Sequence, residues 1–316
     1  MTHENLSYAI NLKGFDSIDS YVRNRFGKNA RHIFKKRKRL ELCLNISCKK
    51  YVGVIGEGEY AVLMSALKIM LIVRFKQRND INEVLTSWEE LTNNLIHDIR
   101  SNKASLFVIY DSNEPIQISI QYHFGKIMRA AINGYDIVYE KFSLGSMALY
   151  EQAKWCLENG YEILDQGYGY LDHKRMWSNY IYHYKHQVCF SKQFKSVIVG
   201  NLVYLKFLVK EYLKSKGIKE YWEELKNRIN KKGRETESRN IDHSFNIINQ
   251  NFDFKGVLKE MDFNSSKGLK KITNDFLYAT VEHIDDVKMF QVLNEKNTYF
   301  LKGKQHAQKF LFVEYS

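Results

Sequence analysis

"YEILDQGYGYLDHK" runs from Tyr161 to Lys174. The first four residues read as a short strand. The ten that follow gather two acids, two glycines, two tyrosines, a histidine and a lysine. Asp165 stands where the strand is expected to end. Gly167 and Gly169 permit positive φ or a close approach of the backbone, which side-chain-bearing residues resist. A strand followed by such a bend either presents polar groups to a ligand or caps its own turn through local hydrogen bonds from Asp165. The flanking segments narrow the choice.

Immediately upstream, "SLGSMALYEQAKWCLENG" reads as a helix opened by Ser143 and closed by Gly160. Its first turn exposes backbone N–H groups and the positive end of the helix dipole, where an anion can sit. The plain reading of Ser143, Gly145 and Ser146 is a serine cap with a glycine for tight packing. Further upstream, "ASLFVIYD", "IQISIQYHF" and "KIMRAAIN" read as three strands of a short-turn antiparallel meander. Tyr122 and Arg129 fall on its central strands, where an ordinary cross-strand pair is the simplest account. "LELCLNIS" and "KKYVGVI" read as strands. "GEGEYAVLMSALKIMLIVRFKQR" and "INEVLTSWEELTNNLIHDIRS" read as helices, the first with acids at its start and bases at its end.

The outer segments are less regular. "DSIDSYVRNRFGKNARHIFKKRKRLE" has caps and helical spacing, and its run "KKRKR", Lys35 to Arg39, is either a solvated helix face or a phosphate-binding or membrane-touching patch. Downstream, "HKRMWSN" reads as a short helix and "IYHYKHQVCFS" as a long strand. Two amphipathic helices follow Ser191, then a polar linker and a mixed end. The expected division is a basic helical segment over 1–39, an α/β (α+β) domain over 40–192, helices over 193–232, a linker over 233–251 and a small α+β appendage over 252–316.

The 316 residues include 44% hydrophobic side chains, enough for a substantial core, and carry a formal charge of +12. Such a surplus favours polyanionic partners without choosing among nucleic acid, an acidic membrane face and a phosphorylated ligand. The cysteines are Cys43, Cys48, Cys156 and Cys189, with no C-x-x-C pair and no zinc spacing. They read as free thiols of a reducing cytosol. No signal peptide and no membrane span are read, so a cytoplasmic location is expected. On a strand, "HYKH" places His183 and His186 on opposite faces, which disfavours a shared metal. No nucleophile motif such as G-x-S-x-G is present.

The order strand, helix, helix, three antiparallel strands, helix, strand, short helix, strand resembles the GNAT acyltransferase fold, a mixed and mostly antiparallel sheet flanked by helices. Tyr135-Asp136, Ser143-Leu144-Gly145, Asp165-Gln166-Gly167-Tyr168-Gly169 and Lys174 together resemble the GNAT-like domain of CelD-type polysaccharide-biosynthesis proteins, and more distantly the Fem-type aminoacyl transferases. Two departures stand out: Leu144 where that family often has proline, and no Q/R-x-x-G-x-G/A signature. The resemblance implies transfer of an acyl group from acyl-CoA to an amine, with an amino sugar or nucleotide-linked amino sugar as acceptor. It implies donor phosphates near Lys141, Ser143, Gly145 and Ser146. Acceptor contacts are implied at Tyr122, Arg129, Asp136, Gly167 and Gly169. Asp165 would take the proton, directly or through water, backbone N–H groups and Lys174 would stabilise the oxyanion, and Tyr168 or Tyr170 would protonate the leaving thiolate. Three other readings stay open: Fem-type transfer from aminoacyl-tRNA; a non-catalytic module for nucleic acid or another phosphopolymer, for which no recognised nucleic-acid motif speaks; and an interaction scaffold using the C-terminal appendage.

Overall fold

The computed structural model describes residues 6–78, 83–168, 172–183, 188–216, 247–249 and 257–312. Its central sheet is built from β1 (Leu6–Asn11), β2 (Ile46–Tyr51), β3 (Ala104–Asp111), β4 (Glu114–Phe124), β5 (Ile127–Tyr135), β6 (Ile163–Tyr168) and β7 (Tyr180–His183). The strand order is β2-β3-β4-β5-β6-β1-β7. β3 through β5 pair antiparallel as the meander predicts, β2 joins β3 antiparallel, and β5 and β6 run parallel. The helices are α1 (Ile18–Phe26), α2 (Ala30–Cys43), α3 (Glu57–Gln77), α4 (Trp88–Arg100), α5 (Leu144–Glu158), α6 (Asp172–Trp177), α7 (Phe194–Ser215) and α8 (Lys267–Thr280).

Period-two alternation sorts the sheet residues onto two faces. Leu106, Val108, Ile118 and Ile120 join α3 and α4 in one core. Phe107, Ile109, Met128 and Leu164 join α5 in the other. α3 is apolar on much of its surface, and Leu63, Met64, Leu67, Met70 and Leu71 are buried. Each such side chain contributes about 1.5–3 kcal/mol through burial.

Chain contacts separate two units. The larger holds residues 9–167, 177–180 and 243–316; the smaller holds 1–8, 168–176 and 181–242. Within the larger unit, the C-terminal segment shares the core of the sheet. On α8, Leu269, Ile272 and Phe276 recur at helical spacing and are buried with α2 and α5 residues. The amide of Asn274 donates to the Val138 carbonyl at 3.1 Å, and the Cys43 thiol donates to the Leu277 carbonyl at 3.3 Å. A second sheet, β8 (Ile247–Asn249), β9 (Leu258–Met261), β10 (Lys288–Val292), β11 (Thr298–Lys302) and β12 (His306–Leu311), has the order β8-β12-β11-β10-β9.

Several local expectations change. "LELC" closes α2 rather than opening a strand, because Leu40 and Cys43 continue its buried stripe from Ile33. The N-terminal helix breaks at Gly27, whose φ of 53° ends α1. β6 extends through Asp165 to Tyr168, so Asp165 lies inside a strand rather than at its end. The strand expected over "IYHYKHQVCFS" is described only as Tyr180–His183, and His186 lies outside the described residues. The second helix expected after Ser191 lies outside them too. All four cysteines are free, Cys43 and Cys156 buried, Cys48 and Cys189 exposed.

Candidate functional site

β4, β5 and β6 bring three of the nominated residues into one row. Tyr122 pairs in register with Arg129, and Arg129 pairs with Asp165. Met128 and Leu164 beside them point to the α5 core, so alternation turns Arg129 and Asp165 to the opposite face. Tyr122 packs there against the α3–α4 core. Burial pushes the Tyr122 phenol above its usual range, and the nearby Asp98 carboxylate adds to that. Asp165 is buried, and its Oδ1 accepts the N–H of Gly167 at 2.8 Å. Gly167 has φ +71°, and a Cβ there would lie 3.7 Å from the Arg129 guanidinium. The local cap read from the sequence is thus present, and it fixes the carboxylate next to Arg129's strand.

Register between β5 and β6 covers only Ile127, Met128 and Arg129 against Ile163, Leu164 and Asp165. Beyond that point β5 continues to Tyr135, paired among the described residues to β4 alone, and its Ala131 and Asn133 are exposed. The strands therefore part on the C-terminal side of the Arg129–Asp165 pair. A bulge at Ile120/Gln121 gives β5 an extra residue there, which bends it. On the α5 face of this stretch, Gln117 Nε2 donates to Asn133 Oδ1 at 2.9 Å and Gln152 Nε2 donates to the Ser119 hydroxyl at 3.0 Å.

From β5 the chain passes through Asp136, whose carboxylate accepts the Val138 N–H at 3.1 Å, and a 3-10 turn over Ile137–Phe142. Ser143 then opens α5 in the left-handed region, φ 57° and ψ 43°, and its side chain makes no cap. Instead the Ser143 hydroxyl accepts a hydrogen bond from Lys36 Nζ at 3.2 Å. The simple serine cap is not what forms. Nor does tight packing explain Gly145, since a Cβ there would meet nothing within 4 Å. The N–H groups of Leu144 and Gly145 pair with no described backbone carbonyl. Lys141 pairs with Asp275 of α8 at 3.3 Å. A cation that reaches the α5 start is Lys36, from the basic run.

That run divides by helical spacing. Lys36, Arg37 and Arg39 are partly buried, whereas Lys35 and Lys38 are exposed. Arg37 binds Glu151 at 3.0 Å and lies over the Tyr150 ring, while Arg39 lies over Tyr278. The periodicity of "KKRKR" was the available signal for Lys36; its neighbour on α5 was not encoded nearby.

In the smaller unit, Lys174 Nζ donates to the Tyr168 carbonyl at 3.0 Å, bringing those two nominated residues together. Gly169 and Tyr170 lie outside the described residues. No group of three metal-ligating side chains occurs among the described residues.

Sequence reading also passed over a buried polar chain at the other end of β5. His123 bonds Tyr161 through Nδ1 and Ser105 through Nε2, each at 2.9 Å, and the Ser105 hydroxyl donates to Gln121 Oε1 at 3.0 Å. Burial, and then the Lys50 charge, push His123 down to about 4, so its ring is neutral at pH 7. Burial pushes Lys50 down to about 7, opposed in part by Cys156. The ammonium stands 3.1 Å from the Trp155 ring centroid, a contact that favours its charged form. These residues are scattered along the chain, so no motif announced them.

Residues 62–175 match the family model described as "Acetyltransferase (GNAT) domain". The matched stretch, roughly a third of the chain, runs from within α3 into α6 and contains the row, the parted strands and the α5 start. The chain carries a GNAT fold, a mostly antiparallel mixed sheet flanked by helices, and this domain supports acyl transfer. No curated protein sequence matches the chain. Among solved structures it is similar to a conserved protein of unknown function from Bacteroides thetaiotaomicron VPI-5482, with 9% identity and a TM-score of 0.43 over 58% of this chain and 61% of that one. It is similar to FemX at 11% identity and a TM-score of 0.43 over 57% and 60% of the two chains. A functionally unknown conserved protein from Staphylococcus epidermidis ATCC 12228 gives 12% identity and a TM-score of 0.31 over 54% of each. The chain thus spans about three fifths of the length of the first two. No helix among the described residues is long and apolar enough to cross a membrane.

Proposed function

We propose that the protein transfers an acyl group from acyl-CoA to an amine, with an amino sugar or nucleotide-linked amino sugar as acceptor. The observation that carries this reading is the parting of β5 from β6 directly after Arg129 and Asp165. A thioester arm laid between parted strands meets unpaired backbone groups of β5. Donor phosphates would meet the first turn of α5, whose helix is long enough to hold a dipole, together with Lys36 on the Ser143 hydroxyl.

In this reading the acceptor amine approaches from the face that carries Tyr122, Arg129 and Asp165. An ammonium must lose a proton before it attacks. The Asp165 carboxylate, oriented through Gly167 N–H, takes that proton directly or through a water. The amine nitrogen then bonds the thioester carbonyl carbon, the C–S bond breaks, and the thiolate leaves and takes up a proton. Arg129 adds positive charge beside Asp165 and the developing oxyanion. The finer resemblance to CelD-type proteins supports the sugar acceptor.

Thermal unfolding with acetyl- and longer acyl-CoAs tests donor binding, and mass spectrometry with amino sugars tests transfer. A ligand at a hundred times its Kd raises stability by about 2.7 kcal/mol, a shift readily seen. No shift with any acyl-CoA would end this reading.

A further inference from the structure

A second concavity lies between α3, the turn after β5, and the first turn of α8. Its volume is about 250 Å³. Ile69, Met70 and Val73 of α3 face Ile137 and Val138 across it, and Tyr135 lines it as well. Ile69 is 53% exposed, so the apolar lining runs out to the surface. A concave apolar site with a few polar groups at its edge is the form that small ligands select.

The polar groups here are mostly cationic. Lys267 and Lys271 of α8 line the cleft. Lys271 reaches Glu140 only at 3.7 Å, both side chains being half-exposed. Lys267 makes no ion pair with any described residue. Arg74, the residue after Val73, stacks its guanidinium over the Tyr135 ring, 4.2 Å from the centroid. Its Nη1 is buried without a hydrogen-bond partner. The one acid lining the cleft, Asp136, already accepts the Val138 N–H.

We propose that this cleft binds a medium-length alkyl chain ending in an anionic head, of which an alkyl carboxylate is the simplest member. The chain lies between α3 and the turn after β5, and the head meets Lys267 and Lys271. At about 30 Å³ per water-sized group, the cleft holds roughly eight methylenes. Tyr135 is six residues along β5 from Arg129, about 20 Å in an extended strand, so this ligand is separate from the groups transferred at the row.

Calorimetric titration of the full chain with alkyl carboxylates of increasing length, below their micelle concentrations, tests this. Affinity should rise about fourfold per methylene and level off near eight, the fold-change that corresponds to about 0.8 kcal/mol for each buried CH2. Decanoate should bind at least tenfold more tightly than decanol, and decylamine more weakly than either. The double variant Lys267→Glu, Lys271→Glu should lose the preference for decanoate while binding decanol as the parent does. Val73→Trp, which fills the cleft, should abolish the dependence on length. A parent protein whose affinity is flat across the series, or equal for decanoate and decylamine, overturns the proposal.

Discussion

Arg129 on β5 and Asp165 on β6 are the last two residues of those strands to stand in register before the strands part. The pair therefore marks the apex of the opening. Asp165 serves two masters there: one oxygen holds Gly167 in its positive-φ turn, and the carboxylate's charge lies beside Arg129's strand. Substitutions can separate the two roles.

Asp165→Asn keeps an oxygen for the Gly167 N–H and loses the base. Asp165→Ala loses both. Turnover should fall about 100-fold or more in each variant. Stability should fall by about 1 kcal/mol only in Asp165→Ala. An Asn variant that transfers acyl groups like the parent would leave Asp165 as a turn cap alone.

Lys36 is the one member of the basic run that touches the α5 start. Lys36→Glu should weaken acyl-CoA binding tenfold or more, since a charge-assisted contact to phosphate becomes a repulsion. Lys35→Glu and Lys38→Glu, on exposed parts of α2, should change it less than threefold at physiological salt. Equal losses in all three would point to a diffuse field instead.

The pH dependence of stability should carry two slopes of the same sign. The His123 pKa is depressed in the folded chain to about 4, against about 6.5 unfolded. As pH falls through that window, the unfolded chain takes up a proton that the folded chain refuses, and stability falls. Lys50 behaves likewise between about 10.4 unfolded and about 7 folded, so stability falls as pH is lowered through that range. Urea midpoints measured from pH 4 to pH 10 should show both, and Lys50→Met should flatten the upper slope and reduce the lower one, because the Lys50 charge is the second cause of the His123 depression.

Gly134 of β5 lies against α3: a Cβ would sit 2.6 Å from Leu67 Cδ1 and 3.3 Å from Met70 Cβ. Gly134→Ala should destabilise by about 1–3 kcal/mol, the usual cost of overpacking. A thermal-unfolding midpoint equal to the parent's would show that α3 can shift away from β5.

Val281 ends α8 at φ 61°, a left-handed conformation that a β-branched residue adopts only at a cost. Val281→Gly should therefore raise stability by about 0.5–1 kcal/mol, and Val281→Asn by less. A lower melting temperature for the glycine variant would mean that the half-exposed valine side chain packs more favourably than its backbone strain costs.

The sequence by itself determined the meander, the long helix before it, α5, and the glycine bend beyond Leu164, because each rests on local periodicity and turn chemistry. Tyr122, Arg129 and Asp165 were legible as candidates on strands, and the segment from Tyr135 to Lys174 was legible as GNAT-like. Their row was not legible, since register across β4, β5 and β6 depends on a bulge and on a parallel crossing through α5. Leu40–Cys43 looked like strand and formed helix because burial against α8 outweighed β propensity. Only tertiary structure placed Lys36 on Ser143, 107 residues away, and set α8 into the core of the sheet. Local patterns encode elements; which side chains meet across them is decided by packing between distant segments, and that is where the candidate site is made.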